Sequence, residues 1–398
     1  MKKYLIVGNG VAGTTAAENI RRVDQTGSIE IVTNEDIPFY YRIRLNEYIS
    51  ADIKEEVLIA RKEAWYREKE IDLKLKTRIV GAKPQDKVLI SEDNHKFSYD
   101  SLLIATGSHS FIPPIKGSDK PGVFALRSVQ DARAISAFVR EIDDVVLIGG
   151  GLLGLEAGNA LRKLGKNVMV VEFFPRLLPR QLDMEGAKRL QGIMEEMGFS
   201  FRLGARTKEI SGDDQVGGVL LESGEQLPAG MVVISAGVRP NLELAEMLAL
   251  DTDKGIKVDN HLRTNQPDIY AAGDVAEFRG IPYGIWPAAM EQGKAAGTNM
   301  AGGEGAYEGT TMSNTLKVVG VDLASAGEID ADQELESKVA ESDRVYKKIV
   351  LKDNQIIGCI MLEDTKGFDQ ITRAMSAKRD VSKIKDQILS EGFDFKSL

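Results

Sequence analysis

The chain has 398 residues with a formal net charge of -9, 43% hydrophobic residues and 28% charged residues, an ordinary globular composition with room for two or three domains. The acidic balance argues against nucleic acid as a partner, and no apolar run approaches the length of a membrane span. The single cysteine, Cys359, excludes an internal disulfide and any C-x-x-C pair. The first residues run straight into a strand, so a signal peptide is not expected and a cytoplasmic location is the default.

Tyr4-Leu5-Ile6-Val7 reads as a fully buried strand. Gly8, Gly10 and Gly13 follow in G-x-G-x-x-G spacing, and Thr14 to Val23 reads as a helix with small residues where it would press on a sheet. In this context the first glycine allows a tight turn, the second lets a pyrophosphate approach the backbone, and the third lets helix and strand lie close. The helix N-terminus offers free N–H groups to phosphate. Ile29 to Thr33 reads as the second strand. Glu35, 22 residues past Gly13, is placed to accept the ribose hydroxyls of an adenosine.

Pro38 to Tyr48 is aromatic and basic. It reads either as a solvated helix with one packed face or, being next to Glu35, as a segment where Arg42 or Arg44 meets phosphate or ring carbonyls. Lys74 to Pro84 and Lys87 to Phe97 read as a strand pair, and Leu102-Leu103-Ile104 as a buried strand. Ala105, Thr106 and Gly107 close that strand. They form an ordinary turn or permit close approach to a bound group. Phe111 to Pro114 marks a linker.

The pattern then returns. Asp144 to Ile148 is a buried strand, Gly149, Gly151 and Gly154 repeat G-x-G-x-x-G, and Leu155 to Leu164 is the helix, ended by Gly165. Val168 to Val171 is the second strand, with Glu172 lying 18 residues past Gly154. Two complete fingerprints in one chain predict two dinucleotides held at once. A carboxylate at Glu172 repels a 2′-phosphate and accepts a 2′-hydroxyl, favouring NADH over NADPH. Arg176 and Arg180, close behind, are the residues through which NADPH would be accepted.

Phe201 to Gly218 and Val219 to Leu227 read as antiparallel strands around a Gly-Gly turn. Val232 to Gly237 is another strand running into a small-residue turn. Ile269 to Ala272 leads into Gly273 and Asp274, where the acid either caps the next helix or accepts bonds from a polyol. Trp286 and Pro287 open a helix to Met300, whose positive end suits an electron-rich ring. After the flexible Gly302 to Gly305, strands are expected at Thr315 to Val319, Tyr346 to Leu351 and Ile356 to Met361. The last two form a hairpin about Asp353-Asn354, with helical segments beyond.

Together these marks resemble the FAD-dependent pyridine nucleotide oxidoreductases with two dinucleotide-binding domains, nearest to NADH:rubredoxin reductases and the flavin modules of assimilatory nitrite reductases. The resemblance is carried by Pro38 to Glu47, Ala105-Thr106-Gly107, Leu178 to Asp183, Gly237 to Asn241, Ala272-Gly273-Asp274 and Thr315 to Asp322, and it spans essentially the whole chain. It implies an α/β fold with two Rossmann-like, glutathione-reductase-like domains and a small α+β C-terminal domain. Residues 1–110 and 241–309 would hold FAD, 111–240 NADH, and 310–398 would dock a partner, form a homodimer or seat the chain in a larger redox complex.

The resemblance also implies roles. Gly8, Gly10, Val11, Ala12 and Gly13 would meet the FAD pyrophosphate, Glu35 the adenosine ribose with Arg42 nearby, and the backbone of Val80 the adenine. Asp274 would bind the ribitol, and the helix from Trp286 would point at the flavin. Gly149, Gly151, Leu152, Leu153 and Gly154 would meet the NADH pyrophosphate, Glu172 its ribose, Glu156 the nicotinamide amide, and Gly237 would close over the cofactor. Hydride would pass from nicotinamide to flavin with no general acid or base, so no catalytic residue is named, and no metal ligand. Disulfide and peroxide reductases of this fold place a thiol beside the flavin, and Tyr40 to Tyr48 has none. Electrons would therefore leave to a small iron or iron–sulfur protein, rubredoxin or ferredoxin-like, or directly to oxygen. The alternative is a sensor that binds both nucleotides without turnover.

Overall fold

Two β-α-β units of one design organise the chain. In the first, β1 (Lys3–Val7) leads through a glycine turn into α1 (Val11–Val23) and on to β2 (Ser28–Val32). In the second, β3 (Asp144–Ile148), α2 (Leu152–Lys163) and β4 (Asn167–Glu172) repeat the order. The computed structural model describes residues 1–310 and 313–398, with backbone alone at 313–318, so the side chains of Thr315 to Val318 lie outside the description. The chain divides into two compact units, one of residues 1–44, 53–109 and 238–310, the other of residues 45–52, 110–237 and 311–398.

The first unit is built on a five-stranded sheet in the order Ile269–Ala271, Ser101–Ile104, β1, β2, Ile71–Lys74, every pairing parallel. Parallel sheets are covered on both faces, which is why these strands read as unbroken apolar runs. Leu102, Leu103 and Ile104 are all fully buried. Each contributes roughly 1.5–3 kcal/mol over an exposed side chain. The helix Trp286–Met300 lies on α1 backbone to backbone. A Cβ on Gly293 would stand 2.5 Å from the carbonyl oxygen of Ala12, and one on Gly297 2.4 Å from that of Ala16.

The second unit carries a parallel sheet in the order Phe199–Leu203, β4, β3, Met231–Ile234, Val123–Phe124. Gly158 sets α2 close over β3, since a Cβ there would meet Leu147 Cδ1 at 2.4 Å. The same unit holds an antiparallel C-terminal sheet of five strands with Phe368–Ser376 packed on it. Its hairpin turn at Asp353-Asn354 has φ of +51° and +57°, the type I′ geometry that those two residues tolerate. A buried ion cluster ties this sheet to the helix Met184–Glu196: Asp183 caps the helix through Gly186 N–H (3.0 Å), and it accepts from Tyr346 Oη (2.7 Å) and Lys348 Nζ (3.3 Å). No helix among the described residues is long and apolar enough to cross a membrane.

Three sequence expectations are corrected. Lys74 closes a strand of the main parallel sheet, and the antiparallel piece after it is a triplet, Ile79–Lys83, Val88–Ser91 and Lys96–Ser98. Phe201 belongs to a parallel strand, and the antiparallel strands are Thr207–Ser211, Gly218–Leu221 and Gln226–Pro228. Gly217-Gly218 therefore leads into a strand and is not a hairpin turn. Pro38 to Tyr48 is no single helix: it holds a 3-10 turn at Arg42–Arg44 and the short helix Leu45–Ile49.

Candidate functional site

The glycines of each fingerprint divide into two kinds. Gly8 and Gly149 both have φ +116°, and a Cβ would lie 2.1 Å from the Ala105 carbonyl oxygen at the first and 2.2 Å from that of Ser235 at the second. Gly13 and Gly154 are as constrained, at 2.0 Å from the Gly8 oxygen and 2.5 Å from the Gly149 oxygen. The protein itself excludes side chains at these four positions. Gly10 and Gly151 are different. Their φ values of -88° and -81° suit any residue, and a Cβ at either would find no atom within 4 Å. Among the described residues nothing accounts for a missing side chain there, so each is a cradle open to a group from outside.

These two glycines are also the N-caps of α1 and α2. Neither cap has a side-chain hydrogen bond and neither first turn carries an acid. Elsewhere in the chain the helix Val129–Phe138 has a full capping box at Ser128, and Met184–Glu196 is capped by Asp183. The N–H groups of Val11, Ala12 and Gly13, and of Leu152, Leu153 and Gly154, thus form the dipole's positive end, unbalanced by any acid of their own first turn. Leu153 is 47% exposed in that first turn. The arrangement fits a dinucleotide pyrophosphate in each cradle.

Around the first cradle, Glu35 accepts from Tyr40 Oη at 3.2 Å and from Arg42 Nη2 at 2.5 Å. The Arg42 guanidinium lies 5.2 Å from the Tyr40 ring centre. Arg42 therefore orients the proposed ribose carboxylate. Val80, 44% exposed, falls where the Ile79–Lys83 ladder slips register. A bulge of this kind leaves backbone groups outside the ladder. Gly107 has φ +68° and open space at its Cβ position. Asp274 receives Ser108 Oγ at 2.9 Å, and Gly273, at φ +84°, donates its N–H to Gln292 Oε1 at 2.8 Å. Trp286 stacks on Tyr41, centroids 5.8 Å apart and planes 22° apart, with Phe39 also 5.8 Å away.

Around the second cradle, Glu172 is 6% exposed and accepts Gly150 N–H at 2.5 Å and Phe174 N–H at 2.8 Å. Two backbone donors thus fix the carboxylate at the strand end. Arg176 is committed to the carbonyls of Leu182 and Pro179, both at 3.1 Å, and Arg180 stays exposed. Glu156 is half-buried, and burial pushes its pKa up. Gly237 has φ +94° with nothing within 4 Å of a Cβ.

Three residues not singled out from the sequence also shape the first unit's site. Asn9 stands inside the fingerprint; its Oδ1 accepts Tyr66 Oη at 3.0 Å, while its buried Nδ2 has no partner among the described residues. Tyr66 in turn accepts Phe39 N–H at 3.2 Å. Asn241 stitches the Thr106-Gly107 turn: its N–H donates to the Gly107 carbonyl (3.0 Å), its Nδ2 to that of Thr106 (2.7 Å), and its own carbonyl accepts Thr106 Oγ1 (3.2 Å). Asn241 ends a motif quoted above, which was the only sequence signal for it.

A parallel sheet entered through an open glycine cradle, occurring twice in one chain with an antiparallel module after it, is the architecture of proteins with two dinucleotide-binding domains. The family model of pyridine nucleotide-disulphide oxidoreductases matches residues 2–293, and that of the rubredoxin NAD+ reductase C-terminal domain matches residues 313–379. The chain belongs to the pyridine nucleotide-disulphide oxidoreductase family.

Among its relatives, the nitrite reductase [NAD(P)H] of Bacillus subtilis is 37% identical over 385 residues, covering 96% of this chain and 48% of that protein. The NADH-rubredoxin oxidoreductase of Clostridium acetobutylicum is 29% identical over 98% of both chains. The solved structure of NADH:rubredoxin oxidoreductase from the same organism is 27% identical, with a TM-score of 0.84 over 97% of this chain and 98% of that one. The chain spans about half the length of the curated nitrite and nitrate reductase relatives it matches, 48%, 51% and 45%.

Proposed function

We propose that the chain is an NADH-dependent flavoprotein reductase that passes electrons to a small iron or iron–sulfur protein of the rubredoxin or ferredoxin class. It acts in the cytoplasm, alone or within a larger redox assembly. The observation that carries this reading is the pair of open glycine cradles at Gly10 and Gly151, each under an uncapped helix N-terminus. FAD is assigned to the first cradle and NADH to the second, within domains 1–110 with 241–309 and 111–240 respectively, and residues 310–398 dock the partner.

Bound there, a nicotinamide supplies hydride and a flavin accepts it and releases electrons singly. The residues bind and orient. The N–H groups of Val11 to Gly13 and Leu152 to Gly154 hold the pyrophosphates, and Glu35, oriented by Arg42, holds the FAD ribose. Asp274, fixed by Ser108, takes the ribitol. The first turn of the helix from Trp286 carries no acid, so its positive end would suit the electron-rich ring. Glu172 accepts the NADH ribose, and with Arg176 turned to backbone carbonyls NADH is preferred over NADPH. Cys359, fully buried in a C-terminal strand, is unsuited to thiol relay.

The test is anaerobic. The FAD-loaded protein is reduced with NADH in a stopped-flow instrument and mixed with oxidised rubredoxin or with oxygen. Fast reoxidation by the iron protein and slow reoxidation by oxygen supports the reductase. Fast reoxidation by oxygen alone makes it an oxidase, the activity for which a 31% identical relative from Methanocaldococcus jannaschii is named. A protein that stays colourless after FAD loading sinks both.

A further inference from the structure

One end of the Leu178 to Asp183 motif is bonded to the second fingerprint and the other to the C-terminal sheet. Leu178 donates its N–H to the Gly150 carbonyl oxygen at 3.2 Å. Gly150 donates its own N–H to Glu172 Oε2, so both polar groups of its backbone are held by the protein. No side chain fits there: a Cβ would meet Leu177 Cδ2 at 2.9 Å and Glu172 Oε2 at 3.1 Å. The matching residue of the first fingerprint is Asn9, which keeps a side chain and bonds Tyr66 with it. A peptide unit is planar, so fixing the Gly150 carbonyl also fixes the direction of the Gly151 N–H across the same bond. Gly151 is the open cradle and the N-cap of α2. The motif itself holds a costly shape. Leu178 has φ of +47°, a region that bulky side chains seldom enter, and such strain persists only where the surroundings over-determine it. Leu177, Leu178 and Leu182 are fully buried. The Leu178 carbonyl accepts the N–H groups of Gln181 and Leu182, both at 2.9 Å. Arg176 closes the loop, with Nε on the Leu182 carbonyl and Nη2 on that of Pro179. Beyond the loop, Asp183 caps the helix Met184–Glu196 and accepts from Tyr346 and Lys348 of the C-terminal sheet.

We propose that residues 176–183 form a strap that positions the Gly150-Gly151 peptide for the pyrophosphate, with Arg176 as its staple and Asp183, clamped by Tyr346 and Lys348, as its anchor. Arg176 and Tyr346 are then positioning residues that act on the nucleotide through the backbone of the cradle. The C-terminal sheet supports the nucleotide site from behind. The proposal rests on the assignment of that cradle to a nicotinamide dinucleotide. It gives Arg176 a task other than meeting a 2′-phosphate. The coupling is reciprocal: a seated nucleotide protects the strap, and a loosened strap weakens the nucleotide by the same factor.

The test is calorimetric titration of the full, FAD-loaded chain with NAD+ and with NADP+, which bind without turnover. Arg176→Met raises the NAD+ dissociation constant by about fivefold or more, whereas a residue that met only the 2′-phosphate would weaken NADP+ alone. Tyr346→Phe, a change confined to the C-terminal sheet, weakens NAD+ to a similar degree. Both variants keep their FAD and reduce it at saturating NADH within about twofold of the wild-type rate, so KM moves and kcat does not. In the wild type NAD+ slows hydrogen exchange of the peptide containing the Leu178 N–H by about fivefold or more, and Tyr346→Phe diminishes that protection. Tyr346→Phe carries the test should Arg176→Met not fold. Wild-type NAD+ affinity in either folded variant overturns the proposal alone, as does NAD+ that binds the wild type and leaves this peptide's exchange unchanged. Loss of FAD together with NAD+ marks a general loosening and overturns it too. If the wild type binds neither NAD+ nor NADP+, the nucleotide assignment falls and takes the proposal with it.

Discussion

A methyl group at Gly10 or Gly151 would touch none of the described residues, whereas at Gly8 it would sit 2.1 Å from a backbone carbonyl oxygen on a residue with φ +116°. The substitutions therefore separate folding from binding. Gly10→Ala leaves the denaturation midpoint of the FAD-free protein within about 0.5 kcal/mol of wild type, but weakens FAD by about tenfold or more, roughly 1.4 kcal/mol. Gly8→Ala loses more than about 3 kcal/mol of stability. Urea denaturation and FAD fluorescence titration read the two effects. If Gly10→Ala binds FAD as the wild type does, the cradle is not where phosphate sits. The spacing of all six glycines was legible in the sequence; which of them faces outward was not, because that depends on the carbonyls of Ala105 and Ser235, tens of residues away. Glu35 and Glu172 were likewise legible as carboxylates following strands, and Arg42 as a neighbour of Glu35, but the bonds that fix them, from Arg42 and from the Gly150 N–H, emerge only with the chain folded.

Elements with an unmistakable start and stop were legible to the residue. The helix Trp286–Met300 begins at a Trp-Pro step and stops short of a glycine run, and β3 coincides with the expected Asp144 to Ile148. Phe201 to Leu227 reads as one antiparallel pair because no apolar break falls at Gly204, whose φ of +63° sends the chain from a parallel sheet to an antiparallel one. What joins elements is less visible still. Lys348 and Asp183 have side chains 3% and 2% exposed, and Asp183 also caps a helix. Lys348→Met leaves that buried carboxylate without its cation, and breaking such a pair costs about 3–5 kcal/mol. A urea midpoint unchanged by the substitution would show that the cluster contributes no net stability. Tyr346, donating to the same carboxylate, has its pKa raised, burial being the largest cause and Asp183 the next, so its hydroxyl remains a donor at neutral pH.

At the scale of the whole chain, these 398 residues carry one cysteine, Cys359, and so no internal dithiol pair. Burial pushes the Cys359 thiol up to about 12. A neutral solution therefore leaves it protonated, and the thiolate is the reactive form. Cys359→Ala is expected to keep NADH-driven reduction of an iron protein within about twofold of wild type, since a buried free cysteine acts as a small hydrophobe. The native protein is expected to resist thiol reagents until it is unfolded, read as absorbance of the released chromophore. Rapid native labelling with loss of turnover would restore a thiol mechanism.

Amino-acid order alone settled the two fingerprints, the parallel sheets they open and the absence of a redox thiol pair. Each is a local matter: strand, turn, helix and carboxylate fall within about one supersecondary unit, and their periods and glycine spacings are set by backbone sterics. Folding was needed to bring Asn241 onto Thr106 across 135 residues, Tyr346 onto Asp183 across 163, and Val319 onto Glu156 across 163. No periodicity links such distant partners, because a single hydrogen bond between buried or part-buried groups selects its neighbour by shape and desolvation, and these exist only once the sheets have packed.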